Sequence, residues 1–158
     1  MSDERSVQDR FFEGGICFGC GPANDQGLRI KSFPRTDGVE GLSCRWRPQP
    51  YHAAYEGMLS GGIVGTLLDC HSNWTAAWHL MQAKGAERPP TTVTAEFCVK
   101  LRKPTPMDEE LLLQSEVVHA TDRKVVVHAT LSASNGVTAS CEGTFVAVPE
   151  GHPAFGRW

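Results

Sequence analysis

The sequence has no long hydrophobic run. The apolar stretch around Ile63–Leu68 is far too short to cross a bilayer, and Met1–Arg10 is polar and charged, unlike a secretory leader. No membrane partner is expected, and a cytoplasmic location is the default. An excess of positive charge is also missing. Fifteen Lys and Arg face 18 Asp and Glu, a formal net charge of -3, which argues against a general nucleic-acid binder. Six cysteines are present: Cys17, Cys20, Cys44, Cys70, Cys98 and Cys141. Without a secretory signal they read as reduced thiols. Cys17 and Cys20 form the only CxxC pair, with no second CxxC or HxxxH to complete a four-ligand metal site, so no metal is expected. No strand precedes the pair to seat a thioredoxin-like helix, which argues against redox chemistry. Internal repeats and low-complexity segments are absent.

What is present suits one soluble domain with a sizeable core: 158 residues, 41% hydrophobic and 21% charged. Residues 1–26 read as a lead-in ending in the glycine-rich EGGICFGCGPANDQG, 27–148 as the folded domain and 149–158 as an irregular tail. Leu28–Lys31 alternates apolar and basic residues, and Leu42, Cys44 and Trp46 share one face of a second strand. A helix is predicted from Gly61 to about Gln82, with Ile63, Leu67, His71, Trp74, Trp78 and Met81 as its buried stripe. Strands follow at Thr92–Arg102, Leu111–His119, Lys124–Ala133 and Val137–Val148, with a hairpin signal at Asn135-Gly136. In Thr92–Arg102 the alternation sets Val93, Ala95, Phe97, Val99 and Leu101 on one face. A single helix stripe with no other helix to meet must pack on the sheet. The fold class is therefore α+β, a curled antiparallel sheet wrapped around one long helix.

The stretch Tyr51–Leu80 carries the chemistry. Ser60 is a good N-cap, and Gly61 and Gly62 leave the first helical N–H groups open to a ligand. Such a helix start favours negative charge developing on a carbonyl oxygen. Two turns on, Asp69 interrupts an apolar or small-residue run, sharing its face with Thr66, Asn73 and Ala76. An oxyanion-type donor and a carboxylate on one helix suggest acyl transfer.

Three motifs resemble the hot-dog acyl-CoA thioesterases of the 4-hydroxybenzoyl-CoA and phenylacetate-pathway type. CFGCGPANDQGL at Cys17–Leu28 resembles an N-terminal C-x-x-C-G…N…G-L element of part of that superfamily. HAAYEGMLSGGIVGTLLD at His52–Asp69 resembles its H-x-G-x-x-G-x-x-HGG…D element, and TAEFCVKLRKP at Thr94–Pro104 its T-A-x-L-x-V-x-Y-x-R-P strand. Two positions depart from the pattern: Ser60 stands where relatives carry the histidine of HGG, and Ala54 where many carry glycine or asparagine. The resemblance implies a hot-dog homodimer or dimer of dimers acting on acyl-CoA without a cofactor. It makes Asp69 the catalytic carboxylate, either as general base on water or as direct nucleophile. Gly61 and Gly62 would then polarise the thioester carbonyl, and Thr94 would contact the water or substrate.

Other residues carry weaker expectations. His52, Ser60 and Asn73 are candidate substrate contacts, with His52 read first as fixing its loop and Ser60 first as capping the helix. Arg102 and Lys103, with Lys100, form a basic cluster suited to coenzyme A phosphates, as do Arg123 and Lys124. His71, two residues from Asp69, is turned about 200° away and reads as a hydrogen-bonded core histidine. Cys70 and Cys98 have no visible activating base and read as inert. Trp74, Trp78 and Phe97 either narrow an acyl pocket or fill the core. Two other readings stay open: an acyl-CoA-binding hot-dog protein without hydrolysis, and a zinc-stabilised interaction domain built on the CxxC.

One inference needs only spacing. Gly61 and Asp69 lie eight residues apart, about 12 Å along a helix. A carbonyl oxygen and the group attacking its carbon must lie within about 4 Å. If both act on one thioester, they come from different subunits.

Overall fold

The computed structural model describes residues 3–157. A short helix α1 (Val7–Phe11) begins behind Ser6, whose hydroxyl accepts the Asp9 N–H. Strands β1 (Ser32–Pro34) and β2 (Leu42–Trp46) follow, then a 3-10 turn (Pro50–His52) and a small hairpin of β3 (Ala53–Tyr55) and β4 (Met58–Leu59). Helix α2 (Gly61–Lys84) is succeeded by β5 (Thr92–Leu101), β6 (Leu111–Ala120), β7 (Lys124–Ala133) and β8 (Gly136–Ala147). Six strands make one antiparallel sheet in the order β1-β2-β6-β7-β8-β5. The sheet curls around α2, which packs on β2 and on all four of the later strands. This is the hot-dog arrangement that the order of elements implied.

The helix ends at Lys84 because Gly85 adopts φ +59°, where its N–H and that of Ala86 return to Gln82 O and Met81 O. Its burial is wider than one stripe. Leu67, His71, Trp74 and Met81 are buried as expected, but so are Val64, Leu68, Ala76, Ala77 and Leu80, while Ile63 and Trp78 are only part-buried. The sheet wraps one side of the helix, and the lead-in covers much of the other. Val7, Phe12, Cys20, Leu28 and Ile30 belong to the same core cluster as Leu67 and Trp74.

Two strand expectations need correction. Leu28–Lys31 alternates inward and outward but is not in the sheet, which begins at Ser32. Arg29 has φ +51°, a left-handed conformation that interrupts an extended ladder. Leu28 and Ile30 bond instead to Phe18 O and Gly19 O of the cysteine loop. In β5 the expected alternation is lost, since Ala95, Phe97 and Leu101 are exposed. Among the described residues β5 pairs only with β8, and a bulge at Ala95 shifts its register. An edge strand with a bulge cannot present one continuous buried face.

A buried polar network ties α1, β1, α2 and β2 together. Gln8 Nε2 donates to Ser32 Oγ at 3.0 Å, and Ser32 N donates to Gln8 Oε1 at 2.8 Å. His71 Nε2 lies 3.1 Å from Leu42 O, a pure acceptor, so that nitrogen carries the proton. His71 Nδ1 therefore accepts from Ser32 Oγ at 2.9 Å. Full burial lowers the His71 pKa to about 4, consistent with this neutral tautomer.

Gln8→Leu keeps the volume near constant but takes the acceptor from the Ser32 amide and leaves the Ser32 hydroxyl bonded to His71 alone. Unsatisfied buried groups cost about 1–3 kcal/mol each, so a loss of about 2 kcal/mol is expected from urea unfolding. A midpoint unchanged from the parent would mean that the network contributes nothing.

Candidate active site

Asp69 is part-buried on α2, and its Oδ1 accepts a hydrogen bond from Thr94 Oγ1 at 2.7 Å. The bulge in β5 aims that threonine. Thr94 faces Phe145 and Glu96 faces Thr144, so Ala95 is left without a partner and the strand turns locally. Burial raises the Asp69 pKa above the ordinary carboxylate value, the Thr94 bond opposes the rise, and charge on Cys17 adds to it. Asp69 and Thr94 line a cavity of about 230 Å³ with Asn73, Trp74, Val93 and Cys70. Asn73 Nδ2 donates to Thr92 O at 3.3 Å, while its Oδ1 is buried with no hydrogen-bond partner among the described residues. Ala76, expected beside Asp69, instead packs with Leu80, Val127 and Phe145 under the sheet. Of the aromatic candidates, Trp74 walls this cavity and Phe97 is exposed.

The helix start lies elsewhere. Gly61 and Gly62 are exposed, and the first N–H groups of any helix lack intrahelical acceptors. Ser60 occupies the N-cap position through its backbone, taking the Val64 N–H at 3.0 Å. Its hydroxyl makes no capping bond, so the expected side-chain cap is absent. Gly61 lines a second cavity of about 400 Å³ with Leu101, Arg102, Lys103 and Val64. Arg102 Nε donates to Ser140 Oγ at 3.2 Å, Lys103 Nζ donates to Asn135 O, and both backbone N–H groups bond Thr138 O. No residue lines both cavities.

His52 lines neither. It is buried, and its Nδ1 accepts the Gln49 N–H at 2.9 Å. Its ring lies 5.2 Å from that of Trp46 and 4.7 Å from that of Tyr51, and its carbonyl accepts the Ser60 N–H. Burial lowers its pKa. These contacts fix the loop entering α2. Among the expected site residues, the fold thus joins Asp69, Thr94 and Asn73 in one place and Gly61, Arg102 and Lys103 in another.

The cysteine loop forms one wall of the Asp69 cavity. A Cβ on Gly19 would stand 2.3 Å from Cys70 Sγ, so only glycine lets the loop lie on α2. Cys17 Sγ sits 3.8 Å from Cys70 Sγ. Sequence spacing hid this approach, because Cys70 lies 53 residues along the chain and reads as an ordinary helix thiol.

No protein-family model and no curated protein matches the chain. Solved structures do. A thioesterase superfamily protein from Shewanella loihica is 32% identical over 81% of this chain and 98% of its own, with a TM-score of 0.64. A Bacillus halodurans protein solved with CoA is 25% identical over 78% of this chain and 76% of its own, with a TM-score of 0.62. A phenylacetic acid degradation-related protein from Ralstonia eutropha, 15% identical over 82% and 92%, shares the fold at a TM-score of 0.66. The chain belongs to the thioesterase superfamily.

Gly19→Ala forces a methyl group against Cys70 and Thr66. Overpacking of this kind costs about 1–3 kcal/mol, whereas Gly14→Ala, with open space around it, should unfold at an unchanged urea concentration. Equal midpoints for the two variants would contradict the close approach of loop and helix.

Proposed function

We propose that this protein hydrolyses acyl-coenzyme A thioesters as a symmetric homo-oligomer whose sites lie between subunits. The observation that carries the reading is the placement of Gly61 and Asp69 in separate cavities of one chain. A helix start that polarises a carbonyl must then meet Asp69 of a second subunit. β5 supports such an assembly, since among the described residues no strand lies beside its outer edge and Phe97 and Leu101 are exposed there. The superfamily membership and the CoA in the Bacillus halodurans relative support the substrate class.

The chemistry follows from the groups available. The thioester oxygen takes the Gly61 and Gly62 N–H groups, which stabilise the oxyanion as it forms. Asp69 removes a proton from water as the water oxygen bonds to the carbonyl carbon. Thr94 holds one carboxylate oxygen and leaves the other free for that proton. Collapse of the tetrahedral intermediate breaks the C–S bond, and the departing thiolate recovers the proton from Asp69. Desolvation makes Asp69 a stronger base than a solvated carboxylate. Arg102 and Lys103 beside the helix start suit the coenzyme A phosphates, with Ser60 next to Gly61 in the chain and Asn73 beside the acid.

Asp69→Asn should lower acyl-CoA turnover by a factor on the order of 10² or more with the circular dichroism unchanged, the loss expected for a missing general base. Near-normal hydrolysis would sink the assignment. Single turnover in ¹⁸O-water tests for the nucleophilic route, since label in the Asp69 carboxylate arises only when Asp69 attacks directly and water then opens the anhydride at the Asp69 carbonyl.

Ser60 in place of histidine favours one second reading, acyl-CoA binding without turnover. A screen over short, medium, long and aromatic acyl-CoAs with thiol detection divides the two.

The shared site has its own test. Asp69→Asn and Gly61→Val homo-oligomers should each be nearly inactive. In a mixed dimer one site collects both lesions and the other neither, so about half of the parental activity should return. Verified mixed dimers without recovery would place both groups within one chain.

A further inference from the structure

We propose that Cys17, Cys20 and Cys70 bind one zinc-class thiophilic cation, which fastens the N-terminal loop to α2 beside Asp69. The three sulfur atoms all lie within 4.8 Å of one another. The Cys17–Cys70 separation of 3.8 Å matches a tetrahedral metal–thiolate edge, since Zn–S bonds of about 2.3 Å set sulfurs about 3.8 Å apart. The sequence shows only the CxxC; folding supplies the third ligand.

The surroundings are those of a built site. Gly19 gives up a side chain so that the loop can reach Cys70. Cys20 is buried, and Trp74 lines the same cavity as the three thiols. A disulfide would employ two of the three and leave one thiol buried beside it.

The three sulfurs face the Asp69 cavity, which leaves room there for a water as fourth ligand. Three thiolates outweigh a dication by one negative charge, so such a centre is a weak Lewis acid, and the role assigned is positional. The loop has reason to need it. Residues 15–30 contribute no strand to the sheet, yet Leu28, Ile30 and Cys20 must stay seated in the core. This inference stands whether or not the chain hydrolyses thioesters.

The test is zinc content of the full chain, purified with reductant, equilibrated with Zn²⁺ and freed of loose metal by gel filtration. The wild type should retain about one ion per chain. Cys98→Ser, at an exposed thiol on β5, should retain the same. Cys17→Ser should retain none, and because Cys17 is exposed the variant should keep the parental circular dichroism. Exchange for Co²⁺ should produce the near-ultraviolet thiolate-to-metal band and the strong visible bands of a tetrahedral centre. A chelator should lower the wild-type unfolding temperature and leave that of Cys17→Ser unchanged. Wild type with no retained zinc, equal zinc in Cys17→Ser, or a cobalt form without thiolate bands would each overturn the proposal.

Discussion

A helix buried around nearly its whole girth must find a partner for each polar side chain it carries, because water cannot reach them. That constraint organises this molecule. His71 is satisfied by Ser32 and Leu42 O, Thr75 by the carbonyl of His71 and the hydroxyl of Ser115, and Asp69 by Thr94. Apart from the His71 carbonyl, each partner comes from a different piece of chain, so the polar residues of α2 set how β1, β2, β5 and β6 sit against it. Ser72 Oγ and Asn73 Oδ1 are the exceptions, buried without a hydrogen-bond partner among the described residues. Asn73 borders the Asp69 cavity, where an unused acceptor is available to whatever enters.

The same burial explains why the acid is chemically useful. On a solvated face Asp69 would be an ordinary carboxylate. Enclosed between α2, the β5 bulge and the cysteine loop, it has a raised pKa and one oxygen committed to Thr94. The bulge matters because a regular β5 would keep strict alternation through residue 95. By leaving Ala95 unpaired, the strand directs Thr94 to the helix and still pairs with β8 to Leu101. At its far end, β5 delivers Arg102 and Lys103 to the cavity beside Gly61. One strand therefore serves both cavities.

The N-terminal segment is part of this machinery. Phe12, Cys17 and Cys20 form the side of the Asp69 cavity opposite the sheet, so the pocket would be open without them. The loop is held by backbone bonds such as Leu28 N to Phe18 O, by the packing of Gly19 on Cys70, and by the convergence of three thiols.

Much of this was legible in the residues. The hairpin signal at Asn135-Gly136, the strand limits of β7 and the single acid in an apolar helix are local patterns, and local patterns are written in consecutive residues. The order of elements left one helix and one sheet that had only each other to bury against. Other features were not legible, for a physical reason common to them all. The Ala95 bulge and the approach of Cys70 to the CxxC depend on groups far apart along the chain. Periodicity reports which face of an element is apolar, and on that basis α2 had a single stripe. Only the tertiary structure decided that the lead-in closes over the other side, because side-chain spacing carries no record of which distant segment will cover a surface.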